Sequence, residues 1–400
     1  MTLFTELGGC AEKRLLILCA RTQAPAEIQA LIRQTVAQRL DWDCVLAEAA
    51  ENSVVPLLDR QLGAVAPEWV PPEVRDKLKT ACRANTVRCL FLSAELVKVL
   101  GAFRERGLLA VPYKGPVLAV QAYGDVTLRD FDDLDIILRQ QDMPKADEAM
   151  RGLGYRPRFE WTLSSSASAS MVPGEYKYVD EGRRVIVELH TELTLRHFPV
   201  ALRLAELAGR LVRVPVAGEE IQTFSPEDGV LLLCVHGAKD FWERIGWVAD
   251  IAEMVRSHPS LDWDWTMKPA ETFGCERMLN LGLALASEML DAPLPAEIAQ
   301  RVRKDDEALR IAADLEHRLL NRDERAMGAK AIFRFRRRMV TGRLAGWRYA
   351  LRLSVMPAED DLSTLRLPRA LAPLYVALRP LRLLRKYRSA ATPERRQPSE

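Results

Sequence analysis

Two aspartates separated by one residue, Asp133 and Asp135, open an apolar run that continues through Leu138. If the run is a strand, its side chains alternate in direction and both carboxylates project from one face. Carboxylates that close repel when both are ionised and unpaired. A divalent cation relieves the repulsion. Hard oxygen ligands suit Mg2+ or Mn2+, which keep waters and accept phosphate oxygens as further ligands. A third acid, Glu188, lies in Val185-Ile-Val-Glu-Leu-His190, on the face it shares with Ile186 and His190. A carboxylate in an apolar strand is costly unless it is paired or ligates a metal. Should the two strands be neighbours, Asp133, Asp135 and Glu188 make a three-carboxylate cluster. Such a cluster holds two cations about 3.5–4 Å apart for an in-line phosphoryl displacement.

A seat for phosphate is expected upstream. Gly115 stands where a short apolar run, Leu108 to Tyr113, gives way to a helix through about Tyr123, with Pro116 near its start. A helix start presents free N–H groups and a positive dipole end. Lys114 adjoins this turn and Arg129 lies four residues before Asp133, and either cation could neutralise phosphate charge. Each residue also has a plainer reading. Lys114 would be a solvated lysine at a strand end, Arg129 a partner of Asp130 or Asp132, and Glu188 a partner of Arg183 or Arg129. His190 would be a hydrogen-bonded histidine near a strand end, and Tyr123 a core residue.

These residues need a frame. Residues 1–107 read as helical, with a long amphipathic helix from Pro71-Pro72 to Gly107 whose apolar positions recur at spacings near three and four. A second strand over 133–138 and a helix over 142–153 follow. Strands over 175–180 and 183–189 are joined by a turn at Glu181-Gly182. Ser164 to Ser170 reads as a loop by composition. A short strand pair is expected near 211–214 and 220–223, then helices from Ser225, the cap of the first. Leu40-Asp-Trp-Asp43 and Leu261-Asp-Trp-Asp264 read as capped helix starts rather than metal sites. The expected fold is therefore α+β. A helical region (1–107), an α/β core (108–224), a helical domain (225–330) and a basic helical tail (331–400) follow one another.

Composition narrows the classes. With 48% apolar and 28% charged residues the chain is neither disordered nor fibrous. Seven scattered cysteines with no C-x-x-C pair argue against a zinc site and for a reducing compartment. No signal peptide and no uncharged apolar stretch of spanning length are evident, so the expected location is cytoplasmic. Residues 331–400 hold 16 Lys+Arg and 5 Asp+Glu, a net +11, which leaves −9 of the chain's +2 on the first 330. Prolines 368, 373 and 380 break the basic, apolar stretch Arg366 to Lys386. It is expected to pack on the acidic body rather than lie on an anionic membrane. The tail lacks the aromatic interleaving of a nucleic-acid binder. Val111-Pro-Tyr-Lys114 and Asp-Phe-Asp132 lack the glycine-rich and catalytic loops of a protein kinase.

The stretch from Tyr113 to Leu138 resembles the nucleotidyltransferase superfamily that includes DNA polymerase β, and more closely an uncharacterised bacterial branch of it. That branch runs Lys-Gly, a helix, Tyr-Gly-Asp, Arg, an Asp-x-Asp strand and a helix ending in Gly-Tyr. Here these are Lys114-Gly115, Tyr123-Gly124-Asp125, Arg129, Asp133-x-Asp135 and Gly154-Tyr155. Glu188-Leu-His190 matches its acid-x-His strand, and His236 and Asp250 fall where the branch has a His and an Asp. The resemblance implies a polymerase β-like core flanked by helices. It implies transfer of a nucleoside monophosphate from an NTP to an acceptor; the acceptor is expected to be an unknown small molecule or protein, since the tail and the acidic body argue against nucleic acid. Asp133, Asp135 and Glu188 would hold Mg2+ or Mn2+, Glu188 would help deprotonate the attacking hydroxyl, and Lys114, Gly115 and Arg129 would bind the triphosphate. His236, Lys239 and Asp250 are candidates for the helical wall of the cleft. The wider superfamily has Gly-Ser at the phosphate turn and often Asp as third acid, where this chain has Lys114-Gly115 and Glu188. The alternative reading is a non-catalytic nucleotide-binding or scaffold protein with the same fold.

Overall fold

The computed structural model describes residues 10–158, 174–194, 198, 200, 202–320, 329–341 and 344–355. The serine-rich loop at 164–170 and the stretch Arg366 to Lys386 lie outside the described residues. Helices Ala11–Cys19, Ala26–Val36, Trp42–Glu51 and Val55–Val65 lead into one 34-residue helix, Pro72–Glu105. Proline suits the first helical position because the N–H it lacks would have no helical partner. At the other end Gly107 takes a φ of +67°, and the Leu108 N–H donates back to the Phe103 carbonyl at 3.0 Å. The long helix serves two cores. Val74 and Leu78 pack among the helices, while Leu92, Leu96, Val99 and Phe103 lie under the sheet.

The sheet has five strands in the order β1-β2-β5-β4-β3: β1 (Val111–Pro112), β2 (Asp133–Ile137), β3 (Arg156–Pro157), β4 (Glu175–Asp180) and β5 (Val185–His190). β2 and β5 are parallel, and every other pairing is antiparallel. Alternation gives the sheet two unlike faces. Leu134, Ile136, Tyr176, Tyr178, Val187 and Leu189 pack against the long helix and against helix Met143–Gly152. Each such side chain contributes about 1.5–3 kcal/mol on burial. The opposite face carries the polar residues.

A separate hairpin, β6 (Val212–Val216) and β7 (Glu219–Thr223), turns at Ala217 and Gly218, both with positive φ. That is the turn geometry whose twist matches paired strands. The Thr223 hydroxyl donates to the Pro112 carbonyl at 2.7 Å and ties the hairpin to β1. The remaining helices run from Pro226–Lys239 to Ala345–Val355. They share one core with the helices at the start of the chain. The two sets come close at Gly246, where an added Cβ would meet the Asn52 carbonyl at 2.8 Å. The first part of the basic segment docks on helix Asp306–Leu320, with Arg338 against Glu307 and Asp314 at 2.5 and 3.0 Å.

Several boundaries differ from the sequence reading. The apolar run 108–113 forms only a two-residue strand, Val111–Pro112, although the Tyr113 N–H still donates to the Asp135 carbonyl at 3.3 Å. The helix from Gly115 is regular only to Leu118 and widens into a π turn over Ala119–Tyr123. The turn after β4 has four residues, 181–184, with Arg184 left-handed, so β5 starts at Val185. Asp41 and Asp262 do cap their helices, accepting from the Cys44 N–H and from the Asp264 and Trp265 N–H groups. Among the described residues no helix is long and apolar enough to cross a membrane.

Candidate active site

The polar face of the sheet is set by register. Asp135 lies directly opposite Glu188 across the parallel β2–β5 pair, and Glu188 lies opposite Lys177 on β4. One step along, His190 lies opposite Glu175. The side chains meet accordingly. His190 Nε2 is 3.0 Å from Asp135 Oδ1, and Lys114 Nζ reaches the same oxygen at 2.8 Å. Lys177 Nζ donates to Glu188 Oε1 at 2.6 Å and lies 3.3 Å from Glu175. Lys239, from the helical side, is 3.5 Å from the other Glu175 oxygen.

The two aspartates are driven apart in acidity. Burial alone would raise Asp135, but Lys114 and His190 outweigh it and hold the carboxyl far below the usual carboxylate range. Around Asp133 the balance runs the other way, and Lys114 and Arg129 lower it too little. Burial first, and the Asp135 charge next, push it up to about 6. Its carboxylate has no hydrogen-bond or ion-pair partner among the described residues. Lys114 is not the solvated lysine of the plainer reading. Only 12% of its side chain is exposed, and Asp135 and Asp133 more than offset the lowering that burial imposes, so its pKa is raised.

Gly115 has a structural reason to be glycine. Its φ is +57°, and a Cβ there would sit 3.3 Å from the Asp133 carbonyl. The turn after Lys114 is thus pressed against the start of β2. That contact places Lys114 over Asp135.

Arg129 pairs with neither Asp130 nor Asp132. It makes a two-pronged contact with Asp250 of helix Ile245–Ser257, Nε to Oδ1 at 2.8 Å and Nη2 to Oδ2 at 3.0 Å. Tyr123 is buried as expected, and its hydroxyl donates to the same carboxylate at 2.8 Å. Glu188 pairs with Lys177 rather than with Arg183 or Arg129. Lys114, Arg129, Asp133, Asp135, His236 and Asp250 line one cleft. His190 and Lys239 line a smaller adjoining cavity, which His236 also borders. Lys177, Glu175 and Asp240 were not singled out from the sequence. The first two are visible only once the hairpin register is known.

These donors suit a divalent cation. Asp135, Glu188 and His190 present ligand atoms that all lie within 4.8 Å of one another. The unpartnered Asp133 carboxylate shares their face. The sequence model of a family described as uncharacterised nucleotidyltransferase matches residues 38–291, well over half of the chain.

The chain belongs to that nucleotidyltransferase family. The matched stretch takes in the five-stranded sheet, the Gly115 turn and the helices carrying His236 and Asp250. The solution structure of the antibiotic-resistance factor ANT(2'')-Ia is similar at 16% identity, covering 57% of this chain and 97% of that one with a TM-score of 0.29. No curated protein matches the chain.

Proposed function

We propose that the protein transfers a nucleoside monophosphate from an NTP to an acceptor that is a small molecule or a protein, releasing pyrophosphate. The observation that carries this reading is the register of β2 on β5, which aligns Asp135 with Glu188 and puts Asp133 on the same face. Asp133, Asp135 and Glu188 would hold Mg2+ or Mn2+ in a two-metal arrangement; bound cations neutralise triphosphate charge and polarise the phosphoryl group under attack. Lys114 adjoins the Gly115 turn and reaches Asp135, where its ammonium would bind a phosphate oxygen. Arg129 is held rigid by Asp250 and would act on the triphosphate through its charge and position.

The Lys114–Asp135 and Lys177–Glu188 pairs favour a second reading, since each acid already has a cationic partner. In that reading the protein binds nucleotide without turnover. Incubation with an NTP labelled at the α-phosphate, Mg2+ and a broad acceptor panel separates the two. A labelled adduct with stoichiometric pyrophosphate supports transfer. Nucleotide binding with no pyrophosphate under any condition supports the non-catalytic reading.

A further inference from the structure

Helix Pro226–Lys239 and the turn after it carry a polar pair to which the transfer reading gives no role. His236 Nδ1 lies 3.1 Å from Asp240 Oδ2. Burial would raise the Asp240 carboxyl, but His236 and Lys239 outweigh it and bring it to about 2, so at neutral pH it only accepts. Burial first, and the Lys114 charge next, lower His236 to about 4, so the ring is neutral. A neutral ring facing an ionised carboxylate through Nδ1 carries its proton there and leaves a lone pair on Nε2. No hydrogen bond engages Nε2 among the described residues. The ring borders the cleft that holds Lys114, Asp133 and Asp135, and also the smaller cavity beside His190 and Lys239. Lys114 from the sheet side and Lys239 and Asp240 from its own helix and turn act on it most, while Asp133, Asp135, Arg244, Glu175 and Glu192 line the two cavities it borders. Trp247 of the next helix packs edge-on at 5.0 Å.

The turn that holds Asp240 is strained and braced. Phe241 and Trp242 both have positive φ, at 63° and 51°. Each such residue costs on the order of 1–3 kcal/mol and persists only when its surroundings over-determine it. The Trp242 N–H donates to the Gly237 carbonyl at 3.0 Å, and its ring fills the space a Gly237 side chain would need. Phe335 packs on Phe241 at 5.4 Å, with the Arg336 guanidinium 4.8 Å from the same ring.

We propose that His236, held in this tautomer by Asp240, is the base that takes the proton of an acceptor hydroxyl as it attacks the α-phosphorus. The inference rests on the nucleotidyl-transfer reading and gives the proton an owner other than Glu188, which Lys177 already engages. The acceptor oxygen forms a bond to the α-phosphorus, and the bond from phosphorus to the bridging oxygen breaks. Its electron pair leaves with pyrophosphate. The hydroxyl proton moves to His236 Nε2, and Asp240 stabilises the imidazolium until solvent takes the proton. A triphosphate beside Lys114 offsets the lysine charge that depresses the ring, so substrate binding itself raises the basicity of His236.

Two measurements on the full chain test this. The first is 15N NMR of the histidine side chains. It should show His236 neutral at pH 7 with the proton on Nδ1, and Asp240→Asn should disturb that tautomer. A proton on Nε2, or a cationic ring at pH 7, overturns the proposal. The second follows AMP transfer from Mg-ATP with glycerol as the hydroxyl probe. His236→Gln should lower the rate roughly 10²-fold or more while affinity for a non-hydrolysable ATP analogue is unchanged. Imidazole should partly rescue His236→Ala. Wild-type rates in His236→Gln overturn the role of His236 and leave transfer standing. Absence of nucleotidyl transfer and of pyrophosphate from the wild type with every NTP and every acceptor of the panel removes the transfer reading itself, and the proposal with it.

Discussion

Asp250 holds Arg129 by two hydrogen bonds of 2.8 and 3.0 Å, and both side chains are nearly buried. One comes from the loop before β2 and the other from a helix more than a hundred residues later. The pair therefore fastens the sheet to the helical wall of the cleft. Removing one partner of a buried pair strands the other charge, at a cost of about 3–5 kcal/mol. Asp250→Ala is expected to lose stability of that order in urea unfolding, and a double change to apolar residues is expected to recover most of it. Wild-type stability in Asp250→Ala would show that the contact is not maintained in solution.

The acidity of Asp133 gives a pH signature. Its folded value of about 6 lies above the unfolded carboxylate value of about 4. The native state therefore holds the proton more tightly between those values, and stability falls as pH rises through that window. Above it the native chain carries a cost on the order of 3 kcal/mol. With divalent cations chelated, Asp133→Asn is expected to melt above the wild type at pH 7.5. The gain should shrink as pH falls through about 6 and vanish near 4. Identical melting curves at pH 7.5 would contradict this.

Glu188→Gln keeps shape and removes charge. It is expected to weaken Mg2+ dependence and to cost roughly 10²-fold in turnover with little change in NTP affinity. The measurement is a Mg2+ titration of the transfer rate at saturating NTP. An unchanged titration would make Glu188 simply the partner of Lys177.

Gly115→Ala adds a Cβ at 3.3 Å from the Asp133 carbonyl and in a left-handed conformation. A loss of about 1–2 kcal/mol is expected, since alanine pays for positive φ. The displaced turn should also weaken NTP binding. Thermal melting and a titration with a non-hydrolysable NTP check both effects.

How much of this was legible in the sequence follows from the local physics. Alternation along Asp133–Leu138 and Val185–His190 put the three acids on common faces, and Ser225, Asp41 and Asp262 announced their helices through capping. The charge pattern across the hairpin was not legible. A two-residue turn at Glu181-Gly182 would set Glu188 opposite Glu175, acid against acid. The four-residue turn shifts the register by two, so Lys177 meets Glu188 instead. The partner of Arg129 was hidden for a different reason. Asp130 and Asp132 are adjacent in sequence, but Asp250 is brought in only by the packing of distant helices.

The central claim is that the face shared by Asp133, Asp135 and Glu188 receives a divalent cation together with an NTP. Anomalous scattering from crystals of the full chain, soaked with Mn2+ and a non-hydrolysable NTP, tests it most directly. The account predicts manganese within bonding distance of the Asp133 and Asp135 carboxylates and of the nucleotide phosphates, with Lys114 moved from Asp135 to a phosphate oxygen. Bound nucleotide with no manganese at these aspartates, and with the Lys114–Asp135 pair intact, would contradict it.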